Sequence, residues 1–208
     1  MTSEIYRKAR RHLSRRDKIL KQLIATVGPC TLQSNPDGFF ALVRSIISQQ
    51  ISTKAARAIA GRLEQSLARS GVTPKGILKL SDEKMRAAGL SASKVKSLRD
   101  LADKVHSGAL PLSSLHKMED EEVIASLIPV RGIGRWTAEM YLIFSLGRLD
   151  VLPVDDLGLR TGVRRQYELR ELPVKKEIIE LAEPWRPYRS IATWYFWRSL
   201  ANVPQVKK

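Results

Sequence analysis

The sequence is poor in the residues that bind metals and form disulfides. It has a single cysteine, Cys30, and three histidines, His12, His106 and His116. One cysteine cannot form an intrachain disulfide, a four-cysteine iron–sulfur cluster or a zinc ribbon. Because the histidines are scattered along the chain, they also argue against a metal-centred enzyme. The sequence therefore predicts chemistry that needs no metal and no other cofactor.

Long apolar runs and strand patterns are also missing. No apolar run reaches the length of a transmembrane helix, and a polar, charged stretch follows Met1 where a signal peptide would be apolar. Alternation of apolar and polar residues is nearly absent, whereas apolar residues recur at helical spacing. We therefore expect a soluble, intracellular, all-α protein of about ten helices, in the cytoplasm or nucleoid, with the nucleus left open.

Acidic residues are scarce relative to basic ones. The 208 residues include 21 Asp and Glu against 36 Lys and Arg, a formal net charge of +15. Such an excess favours a polyanionic partner such as DNA, although a merely basic soluble protein is the alternative. A basic amphipathic helix is predicted from Tyr6 to Lys21, where eight Lys and Arg accompany regularly spaced apolar residues.

A glycine-bracketed turn joins two predicted helices, Asp120 to Leu127 and Arg135 to Leu146. The joining segment reads Ile128-Pro-Val-Arg-Gly-Ile-Gly134, and Ile133 is expected to pack between the two helices. N–H groups at a helix N-terminus can bind a phosphate, and glycines allow close approach of the backbone. Taken alone, however, two glycines before a helix are weak evidence, since glycines often serve only to turn the chain there.

Two adjacent carboxylates, Asp155 and Asp156, follow the turn about twenty residues later, at the start of another predicted helix. Either one could simply cap that helix. Because capping needs one carboxylate, and carboxylates repel phosphate, the second favours chemistry. A carboxylate beside a sugar can stabilise the positive charge that develops when a base departs, and can orient or deprotonate the attacking water.

Together these two segments resemble the helix-hairpin-helix and aspartate of the HhH-GPD superfamily of DNA glycosylases, most closely the 3-methyladenine DNA glycosylase II family. The resemblance covers about residues 37–201. It implies the helix-hairpin-helix glycosylase fold, a single domain over 1–208 with two helical subdomains flanking an active-site cleft. One subdomain would span about 37–160 and contain the hairpin, and the other would combine 1–36 with 161–208.

The resemblance implies a catalytic carboxylate and the type of reaction. Spacing from Trp136 favours Asp156 as catalytic and leaves Asp155 as the cap, whereas matching Val154-Asp155 to related base-repair enzymes favours Asp155. Trp136 stands where glycosylase/lyases carry the Schiff-base lysine. This implies a monofunctional enzyme, and an aromatic ring there could stack on a cationic base.

Further roles follow from the same resemblance. Gln50, in Ser48-Gln-Gln-Ile-Ser52, would be the wedge that fills the gap left by an extruded base, or one of two glutamines at a helix end. The base pocket would comprise Trp136, Met140 and Trp197, with a core position as the alternative for each tryptophan. Contacts to DNA would come from Gly132, Gly134, Arg135, Thr137, Arg186 and Arg189. A structural Na+ or K+ would bind the backbone carbonyls of Ile128, Val130 and Ile133, although Arg131 replaces the usual proline of the family.

The function implied is excision of alkylated purines from double-stranded DNA. A monomer would flip 3-methyladenine or 7-methylguanine out of the duplex and hydrolyse its N-glycosidic bond, leaving an abasic site for base excision repair. Two alternatives remain open: a non-catalytic helix-hairpin-helix DNA-binding protein, and a glycosylase/lyase for oxidised or mismatched bases.

Overall fold

The computed structural model describes residues 3–35, 37–67 and 70–201, and within these ranges it contains helices and loops but no strand. The predicted all-α class is confirmed. Twelve α-helices are present in the described ranges: α1 Ser3–Arg16, α2 Lys18–Val27, α3 Gly38–Ser48, α4 Thr53–Ser66, α5 Pro74–Lys79, α6 Asp82–Ala87, α7 Ala92–His106, α8 Asp120–Leu127, α9 Arg135–Phe144, α10 Leu157–Gln166, α11 Lys175–Ala182 and α12 Arg189–Ala201. Short 3₁₀ helices span Leu115–Lys117 and Glu183–Trp185. No described helix combines the length and apolarity needed to cross a bilayer.

Side-chain caps fix where many of these helices begin. The residue before the helix accepts a hydrogen bond from a backbone N–H of the first turn, which has no partner within the helix. These capping residues are Asp17, Asp37, Ser52, Thr73, Ser81, Ser91 and Asp156. The cap at Asp17 corrects one prediction: the basic segment from Tyr6 to Lys21 is two helices, because Asp17 ends the first and starts the second.

The chain divides into two compact units. One, the hairpin unit, is Asn35–Tyr141; the other, the terminal unit, combines Met1–Ser34 with Leu142–Lys208. The terminal unit includes α10, which packs against α12; the sequence-based subdivision instead placed residues 142–160 with the hairpin. Some residues of the predicted domain ranges, namely 1–2, 36, 68–69 and 202–208, lie outside the described part of the chain.

Each unit has its own apolar core. In the hairpin unit, α7 packs against α3, α5 and α6 and buries Val95, Leu98 and Leu101. In the terminal unit, α12 packs against α2 and α10. Its core includes Trp185, Tyr195 and Phe196, which are completely buried, as expected for large aromatic side chains at the centre of a fold.

Candidate active site

The predicted turn between α8 and α9 has the backbone expected of a tight helix-hairpin-helix loop. Gly132 adopts φ +80°, which favours glycine, and both Gly132 and Gly134 are exposed. Val130 and Ile133 are buried, and the Ile133 N–H donates to the Val130 carbonyl at 3.0 Å. The apolar residues thus anchor the loop while the glycines present its backbone to solvent, next to the N-terminus of α9.

Arg131 occupies the place where the family usually has proline, and the structure gives its N–H a partner. The Arg131 N–H donates to Asp100 Oδ2 at 2.7 Å, and the other carboxylate oxygen of Asp100 is ion-paired with Lys104. Partial burial opposes ionisation of Asp100, but the hydrogen bonds from Lys104 and the Arg131 N–H outweigh it and lower the pKa of Asp100. A proline here could not make this bond.

Arg135 and Thr137, both predicted to contact DNA, lie in the first turn of α9. The Arg135 guanidinium donates to Glu121 at 3.0 Å and to Glu139 at 3.2 Å. The hydrogen bond between Arg135 and Glu121 lowers the pKa of the carboxyl and raises that of the guanidinium. Thr137 is buried, which does not favour a contact between its side chain and DNA. Arg135 joins α8 to α9, and a phosphate would compete with Glu121 for it.

The three carbonyls assigned to a monovalent cation lie in the same loop. The Val130 carbonyl already accepts the Ile133 N–H, whereas the described residues supply no donor to the carbonyls of Ile128 and Ile133. Backbone carbonyl oxygens are ligands that hard cations prefer, and the binding of a cation by this loop stays a prediction. The described residues contain no cluster of three or more His, Cys, Asp or Glu that could hold a metal ion.

Trp136 and Met140 lie one turn apart on α9, which places them on the same face of that helix. Trp136 is 42% exposed, unusually open for so large an apolar side chain, and Met140 is half-buried. The alternative that Trp136 merely fills the core is therefore wrong. Phe144, which the sequence reading missed although it continues the same spacing, is also exposed.

Gln50 lies in the turn between α3 and α4, residues 49–52. It is exposed and has φ +59°, the left-handed conformation that residues other than glycine adopt uncommonly. The side-chain amide of Gln49, next to it, donates to the Gly132 carbonyl at 2.8 Å. The segment that resembles the family's wedge is therefore bound directly to the hairpin loop.

Asp156 is the most constrained carboxylate of the predicted site. It precedes α10 and is 8% exposed. Its Oδ1 accepts the Leu159 N–H at 2.6 Å and the Trp197 indole N–H at 2.7 Å. Two donors from different helices thus fix the orientation of one carboxylate, and Asp156 itself caps α10, which corrects the assignment of that role to Asp155.

Asp155 differs from Asp156 in its burial and in its partner. It is exposed and pairs with Lys175 Nζ at 2.8 Å on the protein surface. An exposed ion pair of this kind is screened by water and contributes little to stability. Of the two neighbouring aspartates, Asp156 is the one that is buried and accepts hydrogen bonds from the Leu159 N–H and the Trp197 indole.

Trp197 borders Asp156 with an aromatic surface. Its ring is half-buried and stacks on Phe144, with ring centroids 5.7 Å apart and planes 16° apart. Gly158 allows this approach, because a Cβ there would lie 2.9 Å from Trp197 Cδ1 and 3.0 Å from Asp156 Oδ1. This role of Gly158 could not be predicted from the sequence, since a glycine inside a helix usually only weakens the helix.

Arg186 and Arg189, predicted to reach phosphates, both bind Asp150. Arg189 Nε donates to Asp150 Oδ1 at 2.8 Å and its Nη2 to the Asp150 carbonyl at 2.7 Å, while Arg186 Nη1 lies 2.9 Å from Asp150 Oδ2. Arg186 also pairs with Glu183. Arg189 is thus hydrogen-bonded to the segment that precedes Asp156. Of the two arginines, Arg186 has the more exposed side chain.

The predicted site residues are thus distributed over both units. Gln50, the hairpin loop, Arg135, Trp136 and Met140 belong to the hairpin unit. Asp155, Asp156, Arg186, Arg189 and Trp197 belong to the terminal unit, where Asp156 and Trp197 are in direct contact.

Comparisons with known proteins show the family to which the chain belongs. A family model described as HhH-GPD superfamily base excision DNA repair protein matches residues 43–187. The chain is 39% identical to DNA-3-methyladenine glycosylase 1 of Schizosaccharomyces pombe, over 92% of this chain and 86% of the relative. Among solved structures, it is similar to a DNA-3-methyladenine glycosidase from Bacillus halodurans, with a TM-score of 0.82, 40% identity and coverage of 92% of this chain and 88% of that chain. It also resembles the S. pombe 3-methyladenine DNA glycosylase in complex with abasic DNA, with a TM-score of 0.82, 37% identity and coverage of 97% and 100%.

Proposed function

Since this chain belongs to the HhH-GPD superfamily of base excision DNA repair proteins, we propose that it is a monofunctional DNA glycosylase that excises 3-methyladenine and 7-methylguanine from alkylated DNA. The observation that carries the proposal is the buried carboxylate of Asp156, fixed by the Leu159 N–H and the Trp197 indole. Similarity to relatives that are named DNA-3-methyladenine glycosylases supports the enzyme class and the alkylated substrate.

Double-stranded DNA is the partner that the charge distribution fits. The N–H groups that begin α9, next to the exposed Gly132 and Gly134, can bind a backbone phosphate without reading sequence. A basic surface lies on α1, which buries Ala9 and Leu13 and exposes Arg7 and Arg11. Binding would rest on phosphates, as expected for an enzyme that must search any sequence for damage.

The damaged base must leave the helix stack before its glycosidic bond can be reached. We assign to Gln50 the filling of the resulting gap, since it is exposed on a turn held against the hairpin loop. Trp136, Met140 and Trp197 are assigned to recognition of the base. Aromatic faces attract cations, and 3-methyladenine and 7-methylguanine nucleotides carry a positive charge on the base.

Hydrolysis of these nucleotides needs stabilisation of the sugar more than protonation of the base. The bond between C1′ and the base nitrogen breaks with its electron pair moving to the base, which leaves as a neutral molecule. Positive charge then develops on the sugar, where the Asp156 carboxylate would oppose it. Water adds to C1′ and loses a proton, and Asp156 can accept it or orient the water. The product is an abasic site.

The reaction would stop at this stage. Cleavage of the strand requires an amine that forms a Schiff base with the sugar, and Trp136 stands where lyases of the superfamily carry that lysine. We propose that no cofactor takes part. A Na+ or K+ held by carbonyls of Ile128, Val130 and Ile133 would add positive field beside the phosphate and is assigned a structural role only. We further propose that the enzyme acts as a monomer in the compartment that holds the DNA.

Base release from methylated duplex DNA by the purified protein tests this function. A glycosylase releases 7-methylguanine or 3-methyladenine and leaves sites that break only after treatment with alkali. A non-catalytic DNA-binding protein would bind the duplex and release no base, and a glycosylase/lyase would break the strand without alkali. Either of these two results would overturn the proposal.

A further inference from the structure

The Gln50 turn is held by hydrogen bonds from elsewhere in the hairpin unit. Gln50 and Ile51 are both exposed, and Gln50 has the left-handed φ of +59°. A non-glycine residue keeps such a conformation only where neighbouring groups fix it. A side chain that must enter a DNA duplex also needs a rigid backbone beneath it, because a flexible turn would move away when the side chain meets the duplex.

Lys94 supplies one of these constraints. Its amine, in the first turn of α7, donates to the Ile47 carbonyl at 2.7 Å and to the Gln49 carbonyl at 2.9 Å. These carbonyls belong to the end of α3, where carbonyls lack partners within the helix and a cation is favourable. Partial burial lowers the pKa of Lys94, consistent with an amine that is partly shielded from water where it donates to these carbonyls.

The same face of α7 also fixes the hairpin loop. Ser97, three residues after Lys94, lies so close to Gly132 that its Oγ would be 2.9 Å from a Cβ at that position. Asp100, three residues further, accepts the Arg131 N–H at 2.7 Å. The Gln49 amide closes the arrangement by donating to the Gly132 carbonyl. Residues 94, 97 and 100 of α7 therefore connect the turn and the loop within one unit.

We propose that Lys94 is a positioning residue for base extrusion: with Gln49, it locks the Gln50 turn to the phosphate-binding hairpin loop. The inference rests on the proposed glycosylase function and on the role assigned there to Gln50. A phosphate bound by the hairpin loop would then fix the DNA relative to Gln50, and Lys94 would act on the reaction only through this turn. Loss of Lys94 should impair extrusion of a paired base far more than the chemical step.

The test compares one damaged base in two settings. Single-turnover release of 7-methylguanine is measured from a normal duplex, where it pairs with cytosine, and from a duplex where it faces a stable abasic-site analogue. The second substrate has no pair to break, so it depends less on the wedge. Lys94→Met should slow release from the paired duplex by about tenfold or more, since small displacements of positioning groups cost this much, and should slow release from the unpaired duplex by less than about threefold.

Three further variants separate positioning from a general loss of structure. Lys94→Arg, which keeps a cation and several donors, should recover most of the paired-duplex rate. Gln49→Ala removes only the bond to Gly132, and it should shift the ratio of the two rates in the same direction even if Lys94→Met does not fold. Lys96→Met, an exposed position on the same helix, should leave both rates unchanged.

The outcomes distinguish a positioning role of Lys94 from a structural defect and from failure of the proposed function. The inference would be overturned if the ratio of paired to unpaired rates stays at the wild-type value in whichever of Lys94→Met and Gln49→Ala folds. That ratio is also unchanged when both rates fall equally, which would mark a structural defect. Absence of base release by the wild-type protein from either duplex is a different result, which would overturn the proposed function itself.

Discussion

Replacing Asp156 with asparagine would remove one negative charge and keep the shape of the side chain. Asparagine caps helices about as well as aspartate, and its carbonyl oxygen can still accept from the Leu159 N–H and the Trp197 indole. The loss of charge at a helix N-terminus costs about 0.3–1 kcal/mol. For a chain of this size that lowers the melting temperature by no more than about 4 °C, so the fold should remain intact.

The effect on the rate should be far larger. Opposite unit charges about 4 Å apart attract by about 4 kcal/mol at an effective dielectric constant of about 20. Removal of that attraction from the transition state slows the chemical step by about a thousandfold. DNA affinity should survive or increase, because a carboxylate that repels phosphate is gone. Single-turnover release of 7-methylguanine with enzyme in excess measures the first quantity, and a titration of undamaged duplex measures the second.

Asp155→Asn is the matched control. Asp155 is exposed and paired with Lys175, and such surface pairs contribute about 0–1 kcal/mol. We expect its rate to stay within about threefold of the wild type. An inactive Asp155→Asn variant together with an active Asp156→Asn variant would refute the reasoning, because the buried, hydrogen-bonded carboxylate of Asp156 would then not be the catalytic one.

Three other predictions concern DNA binding, the type of reaction and alkaline stability. Affinity for duplex DNA should fall steeply with salt concentration. The double variant Arg7→Gln, Arg11→Gln should reduce the slope of log affinity against log salt concentration by up to about 2 if both arginines contact phosphates. An unchanged slope would exclude α1 from the DNA interface. Because Trp136 replaces the Schiff-base lysine, borohydride should trap no covalent complex, and a trapped adduct would move the protein to the lyase class. Burial raises the pKa of Tyr141 and of Tyr195 to about 12, whereas unfolded tyrosine titrates near 10. The free energy of unfolding should therefore be unaffected by these groups below pH 10 and fall between pH 10 and 12, by up to about 2–3 kcal/mol per tyrosine; urea unfolding at both ends of that range, with Tyr195→Phe as control, would detect it.

Features with local causes could be predicted from the sequence. The helix Asp120–Leu127 has the predicted bounds, because acidic residues at its start and an apolar face are local signals. The predicted burial of Ile133 is confirmed. It too follows from a local signal, namely one apolar residue between two glycines of a turn. The helical class followed from apolar spacing and from the near absence of alternation.

Features that depend on distant partners could not be predicted. Asp17 divides the basic N-terminal segment into two helices, and its carboxylate is bound by the Tyr167 hydroxyl and by the Trp185 indole at 2.7 Å. These partners lie more than a hundred residues away in sequence, so periodicity alone gave one continuous helix. The bond from Trp197 to Asp156 and the bond from Lys94 to the Ile47 carbonyl of α3 also join residues more than forty positions apart.

A single carboxylate that both caps a helix and opposes a developing charge is a physically economical arrangement. Stabilisation of a transition state is strongest when the charge is already oriented, since no free energy is then spent on reorganisation. The Leu159 N–H and the Trp197 indole provide that orientation from α10 and α12. Trp197 follows the fully buried Phe196 on α12, and the missing side chain of Gly158 lets it approach the carboxylate. The position of Asp156 is therefore determined in part by the packed core of the terminal unit, to which Phe196 belongs.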